Sequence, residues 1–377
     1  MNRKNICEIC TLIMGQSPDS KSYNKDKNGI PFYQGNADFG EKHPTPTVWC
    51  TAPKKIARKG DILISVRAPI GDMNIANEDC CIGRGLAAIR LNKSDIVDIN
   101  YLYHYLSATV EFLQEQGTGS TFKAINKTTL EGIEIPCPSI EKQKNIAKFI
   151  IEIKTSIQYK KAELFALNEL VKSRFIEMFG DIRISSIFPN IALENFAQIG
   201  SSKRVHAADY VESGVPFYRS KEIIELGNGQ EPSVELFISK KQYESIKKTN
   251  GVPCKGDILM SAVGTIGKMW IVDGRKDFYY KDGNIISIHS DETNPIYLKE
   301  ALANLIDDFK SANVAGSAYS ALTIVKLKKM TVPMPPMSIQ NEFADFVKLI
   351  DKSKFIVQKQ IDDLQELLDS KMDEYFG

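Results

Sequence analysis

No stretch of this chain approaches eighteen uncharged apolar residues, the length a helix needs to cross a bilayer. Its first twenty residues, MNRKNICEICTLIMGQSPDS, hold neither a continuous apolar run nor a small-residue cleavage site of the secretory kind. Net charge is nearly absent too, because 48 Lys and Arg offset 47 Asp and Glu to leave a formal +1. Total charge therefore announces no polyanionic partner, and any nucleic-acid surface has to be local. Cysteine occurs an odd seven times, as Cys7, Cys10, Cys50, Cys80, Cys81, Cys137 and Cys254, with no even framework. A disulfide scaffold is excluded, and a reducing, cytoplasmic location without membrane contact is expected. The 377 residues are 43% hydrophobic and 25% charged. That is globular composition, with length for two or three cores.

Catalytic signatures are missing as well. Gly264-Thr265-Ile266-Gly267-Lys268-Met269 superficially matches a phosphate loop, but the first glycine of that motif falls on Ala262 and the magnesium-binding hydroxyl on Met269. Asn294-Pro295-Ile296-Tyr297 is similar to the Asn-Pro-Pro-Tyr of adenine methyltransferases with one proline lost, and a helix start explains it better. Cys7-Glu8-Ile9-Cys10 is half of a metal site whose second half never comes. His43, His104, His206 and His289 are scattered, with no catalytic or ligand spacing. The expectation is a chain without a metal site and without catalysis of its own.

What is present is a repeat. Gly119-Ser120 recurs as Gly316-Ser317, Pro136-Cys137-Pro138 as Pro333-Met334-Pro335, Gln143 as Gln340, Ala147 as Ala344, and Phe179-Gly180 as Phe376-Gly377. All are 197 residues apart, as Gly180 is from Gly377. Upstream, Lys59-Gly60-Asp61-Ile62-Leu63 matches Lys255-Gly256-Asp257-Ile258-Leu259 and Pro31-Phe32-Tyr33 matches Pro216-Phe217-Tyr218 at shorter offsets, so insertions fall in the front part of each copy. The chain is a tandem duplication.

Each copy has two unlike parts. The front parts, 1–138 and 183–336, carry short β-branched runs such as Asp61–Val66 and Ile285–Ile288 between Gly- and Pro-rich loops, followed by a helix near Tyr101 and near Tyr297. These are mixed α/β domains. The back parts, 139–182 and 337–377, each predict one long helix, opened by Pro138-Ser139 and by Pro336-Met337-Ser338 with the serine as cap. In the first, Ile150, Ile153, Ile157, Leu164, Leu167, Val171, Phe175 and Met178 recur at helical steps. The second places Val347, Ile350, Lys354, Ile361, Leu364, Leu368, Met372 and Tyr375 at the same points, polar only at Lys354. A matched near-heptad seam predicts two helices of roughly 58 Å zipped into a coiled coil. If they run antiparallel, the copies are related by a pseudo-twofold axis with the globular domains at opposite ends, a geometry for touching two stretches of one duplex at a set separation.

The loops beside the repeated strands hold the candidate DNA contacts. Gln34-Gly35-Asn36 follows Pro31-Phe32-Tyr33, and Gln34 or Asn36 can pair with adenine in the major groove. Its counterpart is Arg219-Ser220-Lys221, where arginine suits guanine. An ordinary polar loop is the competing reading. Lys54, Lys55, Arg58 and Lys59 precede one Gly-Asp-Ile-Leu strand, and Lys240, Lys241, Lys247, Lys248 and Lys255 precede the other. These suit phosphate neutralisation, or else form a solvated face. Arg67 has only Val263 or Gly264 opposite it. The loops at Ser120 with Lys123, and at Ser317 with Tyr319, are hydroxyl-rich and able to lie on a backbone. Similar scaffolds with different loops predict an asymmetric, bipartite target.

Two such domains, each with a Lys-Gly-Asp-Ile-Leu strand, a Gly-Ser loop and a Pro-x-Pro segment leading into a long helix with a glutamine in its first turns, resemble the specificity subunit of type I restriction-modification systems over essentially the whole chain. The resemblance implies two target recognition domains, each binding one half of a split site in double-stranded DNA. It implies paired spacer helices that dock two modification (methyltransferase) subunits, and an association with restriction subunits. It also implies that partners, not this chain, use S-adenosylmethionine for adenine-N6 methylation and ATP with magnesium for translocation and cleavage. The rival readings are an autonomous methyltransferase or nuclease and a protein-only coiled-coil scaffold.

Overall fold

The computed structural model describes residues 2–117, 123–181, 185–313 and 322–377. The chain divides into two compact units, residues 1–161 with 359–377 and residues 162–358.

The first unit is organised by two sheets. Strands β1 (Arg3–Asn5), β2 (Cys10–Met14), β3 (Ile30–Tyr33), β4 (Ile62–Ser65), β5 (Met73–Ile75), β6 (Cys80–Ile82) and β7 (Leu86–Leu91) precede helix α1 (Ile99–Ala108) and strand β8 (Glu134–Pro136). An antiparallel sheet has the order β2-β7-β4-β5. A second sheet is centred on a parallel pair, β3 with β6, in the register Phe32↔Cys81 and Tyr33↔Ile82. Strand β4 is buried along its whole length, which is why its sequence is a continuous apolar run rather than an alternation. The Lys-Gly-Asp ahead of it is a turn: Gly60 takes a φ of 90°, a conformation that favours glycine, and the Asp61 carboxylate accepts the Arg58 N–H at 2.8 Å.

The second unit repeats this plan. Strands β9 (Asn190–Ala192), β10 (Gln198–Gly200), β11 (Val215–Tyr218), β12 (Ile258–Ser261), β13 (Met269–Ile271), β14 (Tyr279–Tyr280) and β15 (Ile285–His289) are joined by helices α3 (Ser220–Gly227) and α4 (Lys240–Thr249), both between β11 and β12. The antiparallel sheet has the order β10-β15-β12-β13. The parallel pair is β11 with β14, Phe217↔Tyr279 and Tyr218↔Tyr280. Gly256, with a φ of 96°, and Asp257, accepting the Cys254 N–H at 2.8 Å, rebuild the same turn. Helix α5 (Pro295–Asn313) and strand β16 (Thr331–Pro333) follow, and β16 pairs with β9 as β8 pairs with β1. Asn294-Pro295 is a helix start, as expected: the Asn294 Oδ1 accepts the Ile296 N–H at 2.9 Å.

The long helices are α2 (Ile140–Phe179) and α6 (Met337–Phe376). Ser139 stands ahead of the first, where its Oγ accepts the Lys142 N–H at 3.4 Å. Ser338, by contrast, is inside the second helix and does not cap it; the Pro336 carbonyl takes the Ile339 and Gln340 N–H groups instead. In the second unit the tail of the first long helix meets the head of the second. The Phe175 and Phe179 rings lie 5.6 and 5.3 Å from the Phe343 ring, and Arg174 pairs with Glu342 at 3.2 Å. In the first unit, α1 contacts the head of one helix through Gln143 and the tail of the other through Phe376, 5.4 Å from the Tyr101 ring. In each unit the head of one long helix thus lies with the tail of the other. This arrangement also explains why the compact units cut across both helices rather than following consecutive segments.

Of the seam positions, Ile150, Ile153, Ile157, Val171, Val347, Ile350, Ile361 and Leu368 are buried, while Leu164, Leu167 and Leu364 are half-buried. Lys354 is half-buried and pairs with Asp351 at 3.3 Å, and Val357, one turn on, is buried.

Candidate nucleic-acid interface

In the first unit three loops are knitted together where β3 and β6 end. The Gly83 N–H bonds the Tyr33 carbonyl at 2.8 Å and the Gly85 N–H bonds the Gln34 carbonyl at 3.2 Å. The Ser17 hydroxyl donates to the Gln34 Oε1 at 3.1 Å and accepts the Arg84 N–H at 3.4 Å. Glycine is required for this approach: a Cβ on Gly15 would stand 2.0 Å from the Gly83 oxygen, and one on Gly85 2.4 Å from the Gln34 oxygen. Gln34 is exposed at the centre of this cluster. Arg67 joins it through its neighbour, since the Val66 N–H bonds the Gly85 carbonyl at 2.9 Å. Lys55 joins through its carbonyl, bonded by the Ile82 N–H at 3.0 Å, with exposed Lys54 beside it.

Arg84 was not picked out by the sequence reading. It is exposed, carries no ion pair among the described residues, and stands between two buried glycines directly after a strand. That Gly-Arg-Gly pattern was the available signal.

The other candidates are distributed differently. Asn36 donates its side-chain amide to Asp72 at 2.8 Å. Arg58 and Lys59 sit at the far end of β6, where the Lys59 N–H bonds Asp79, so the basic run splits into two places. Exposed Lys123 lies beside the bridge between Arg67 and Ala124. Ser120, Ser317 and Tyr319 lie outside the described residues.

In the second unit the same scaffold holds different chemistry. The Arg219 N–H bonds the Glu222 carboxylate at 2.7 Å, as the Gln34 N–H bonds Asp38 at 2.7 Å. However, the Arg219 side chain does not project freely toward a base. Its guanidinium donates to buried Glu222 at 2.9 Å and to Glu235 at 2.8 Å, which holds its pKa well above the usual arginine value. Ser220 opens helix α3, and Lys221 pairs with Glu235 at 3.2 Å. The loop equivalent to Gly83–Gly85 carries Asp282, paired with Arg204 at 2.8 Å. Exposed cations concentrate instead on α4, at Lys240, Lys241, Lys247 and Lys248.

One structural pair differs in titration. Asp61 is held by Arg90 at 2.7 Å, while Asp257, its repeat equivalent, is held by His289 at 2.7 Å. The hydrogen bond to Asp257, with Asp291 3.5 Å from the other ring nitrogen, raises the His289 pKa. A raised folded pKa contributes stability that is complete below the unfolded value of about 6.5 and is lost as pH climbs through the folded one. Wild type should therefore melt above His289→Gln at pH 6, with the gap closing toward pH 8.5, as thermal scans across that range would show. The effect should stay below about 1 kcal/mol because the imidazole is partly exposed. His289→Arg should remove the pH dependence. His104, by contrast, is a buried core residue, pushed down to about 4 by burial and by nearby Lys154.

Among the described residues no helix is long and apolar enough to cross a membrane, and no group of three or more His, Cys, Asp or Glu is placed to hold a metal ion. Comparison with known proteins gives one consistent result. The family description "Type I restriction modification DNA specificity domain" matches residues 1–169 and again 188–366. A Methanocaldococcus jannaschii protein provisionally named the type I restriction enzyme MjaX specificity subunit is 45% identical over 46% of this chain, and that match covers 41% of the relative. The type I restriction enzyme MjaIX specificity subunit of the same organism is 24% identical over 97% of this chain and 90% of its own length. The crystal structure of the type I restriction-modification S subunit from M. genitalium, 16% identical, superposes with a TM-score of 0.58 over 100% of this chain and 96% of the other, a likeness of fold.

Proposed function

The chain belongs to the type I restriction-modification DNA specificity family, and we propose that it is the sequence-reading subunit of a methyltransferase and endonuclease complex, contributing recognition rather than catalysis. The observation that carries this reading is the duplicated scaffold with unlike loops. Each unit presents polar loops at the end of its parallel strand pair, with Gln34 and Arg84 in the first unit where the second has the paired Arg219 and Asp282. One fold bearing two chemistries fits an asymmetric DNA site of two different halves. Partners would supply S-adenosylmethionine-dependent methylation of adenine N6 and ATP- and magnesium-dependent restriction, in the cytoplasm.

Support for two modification subunits comes from the helices. Tyr159 and Ile356 are exposed apolar residues at equivalent repeat positions, and so are Leu170 and Leu367. Each unit thus carries one copy of the same pair, Tyr159 with Leu367 or Ile356 with Leu170. Two like apolar surfaces suit two copies of one partner.

The test is single-molecule mapping of methylated adenines in cells that carry or lack this chain. A bipartite motif present only with the chain is the expected result. A methylation pattern indifferent to the chain would overturn the reading, and S-adenosylmethionine binding by the purified chain would favour an autonomous methyltransferase.

A further inference from the structure

We propose that Arg84, standing beside Gln34, reads a guanine edge in the half-site bound by the first unit, an inference that rests on the DNA-recognition reading above. Arg84 is exposed without a carboxylate partner among the described residues. Its loop is not a loose one. Gly83 and Gly85 are buried and bonded to the carbonyls of Tyr33 and Gln34, and a Cβ on Gly85 would stand 2.4 Å from the Gln34 backbone oxygen. The base of the arginine is thus fixed while its guanidinium is free, the condition under which a forked donor discriminates rather than merely attracts.

The surroundings select the base. The Gln34 Oε1 already accepts the Ser17 hydroxyl, and among the described residues no bond engages its Nε2 donors. Arg67 and Lys54 add donors and no acceptor. A surface of donors matches a base edge of acceptors, and guanine offers two of them, N7 and O6, to the arginine fork. At the position equivalent to Arg84 the second unit holds Asp282, neutralised by Arg204, beside exposed Lys281.

The experiment maps methylated adenines with the chain in its assembled complex, comparing wild type with Arg84→Gln and Arg84→Lys. Both variants should lose preference at one base position of one half-site, by roughly 5- to 150-fold against the best competing base, with the other half-site unchanged. Lysine keeps the charge but not the fork, so rescue by Arg84→Lys, or weaker methylation with an intact motif, would make Arg84 a phosphate contact and overturn the proposal. An unchanged motif in both variants would overturn it too. If the wild-type chain directs no motif, the underlying recognition reading fails, an outcome separate from a wild-type motif that ignores Arg84.

Discussion

Phe179→Ala should destabilise the second unit by about 3–5 kcal/mol, the range for emptying a fully packed aromatic site. Phe179 has no solvent exposure, and its ring lies 4.8 Å from Tyr297, 4.9 Å from Phe175 and 5.3 Å from Phe343. Those partners come from α5 and from both long helices, so they cannot all close on the cavity without displacing one another. The repeat supplies an internal control. Phe376 is the equivalent residue in the first unit, with ring partners Tyr101 at 5.4 Å and Tyr105 at 5.8 Å, and it is 8% exposed on the last turn of its helix. Phe376→Ala should cost distinctly less. Calorimetric melting of the two variants checks the order, and equal shifts would mean that the cluster around Phe179 is not what holds the second unit.

Much of this organisation was legible because duplication writes the same constraint twice. Lys-Gly-Asp appeared in both copies because a left-handed glycine and a turn-closing carboxylate are needed before each buried strand. The first proline of each Pro-x-Pro presents its carbonyl to a buried tyrosine hydroxyl, Tyr101 on Pro136 and Tyr297 on Pro333, at 3.0 and 2.5 Å. Eight of the eleven seam positions chosen on period are buried, and so is Val357, which was not among them. What the sequence concealed was partnership across the fold. Glu222 stands three residues from Arg219, but nothing near it in the chain reveals that the distant Glu235 also claims its guanidinium. Conversely, Arg84 looked like one more polar residue until Ser17, Gln34 and two glycines were seen to converge on its loop. Free and committed arginines are indistinguishable in a sequence, and the difference decides which can meet a base.

The same logic makes the duplicated glutamine the next-largest target, and here the two copies should respond unequally. Gln143 is fully buried. Its Oε1 accepts the Asp98 N–H at 3.0 Å, and its Nε2 donates to the Ile96 and Pro138 carbonyls at 2.9 and 2.8 Å. Gln340 accepts the Asn294 N–H at 2.8 Å and donates to the Pro335 carbonyl at 2.9 Å, but its other donor meets only the Met334 sulfur at 3.9 Å. Leucine fills either site and satisfies none of these groups, each of which costs about 1–3 kcal/mol when left buried and unpaired. Gln143→Leu should therefore cost more than Gln340→Leu, as denaturant titration would show, and the reverse order would contradict the accounting. An apolar residue would be the simpler occupant of so dry a place. The amide does what leucine cannot, since it joins the residue that caps the domain's helix to the first turns of the long helix in each copy. Methylation should accordingly weaken at the half-site of the altered copy more than at the other, even under conditions where the variant remains folded.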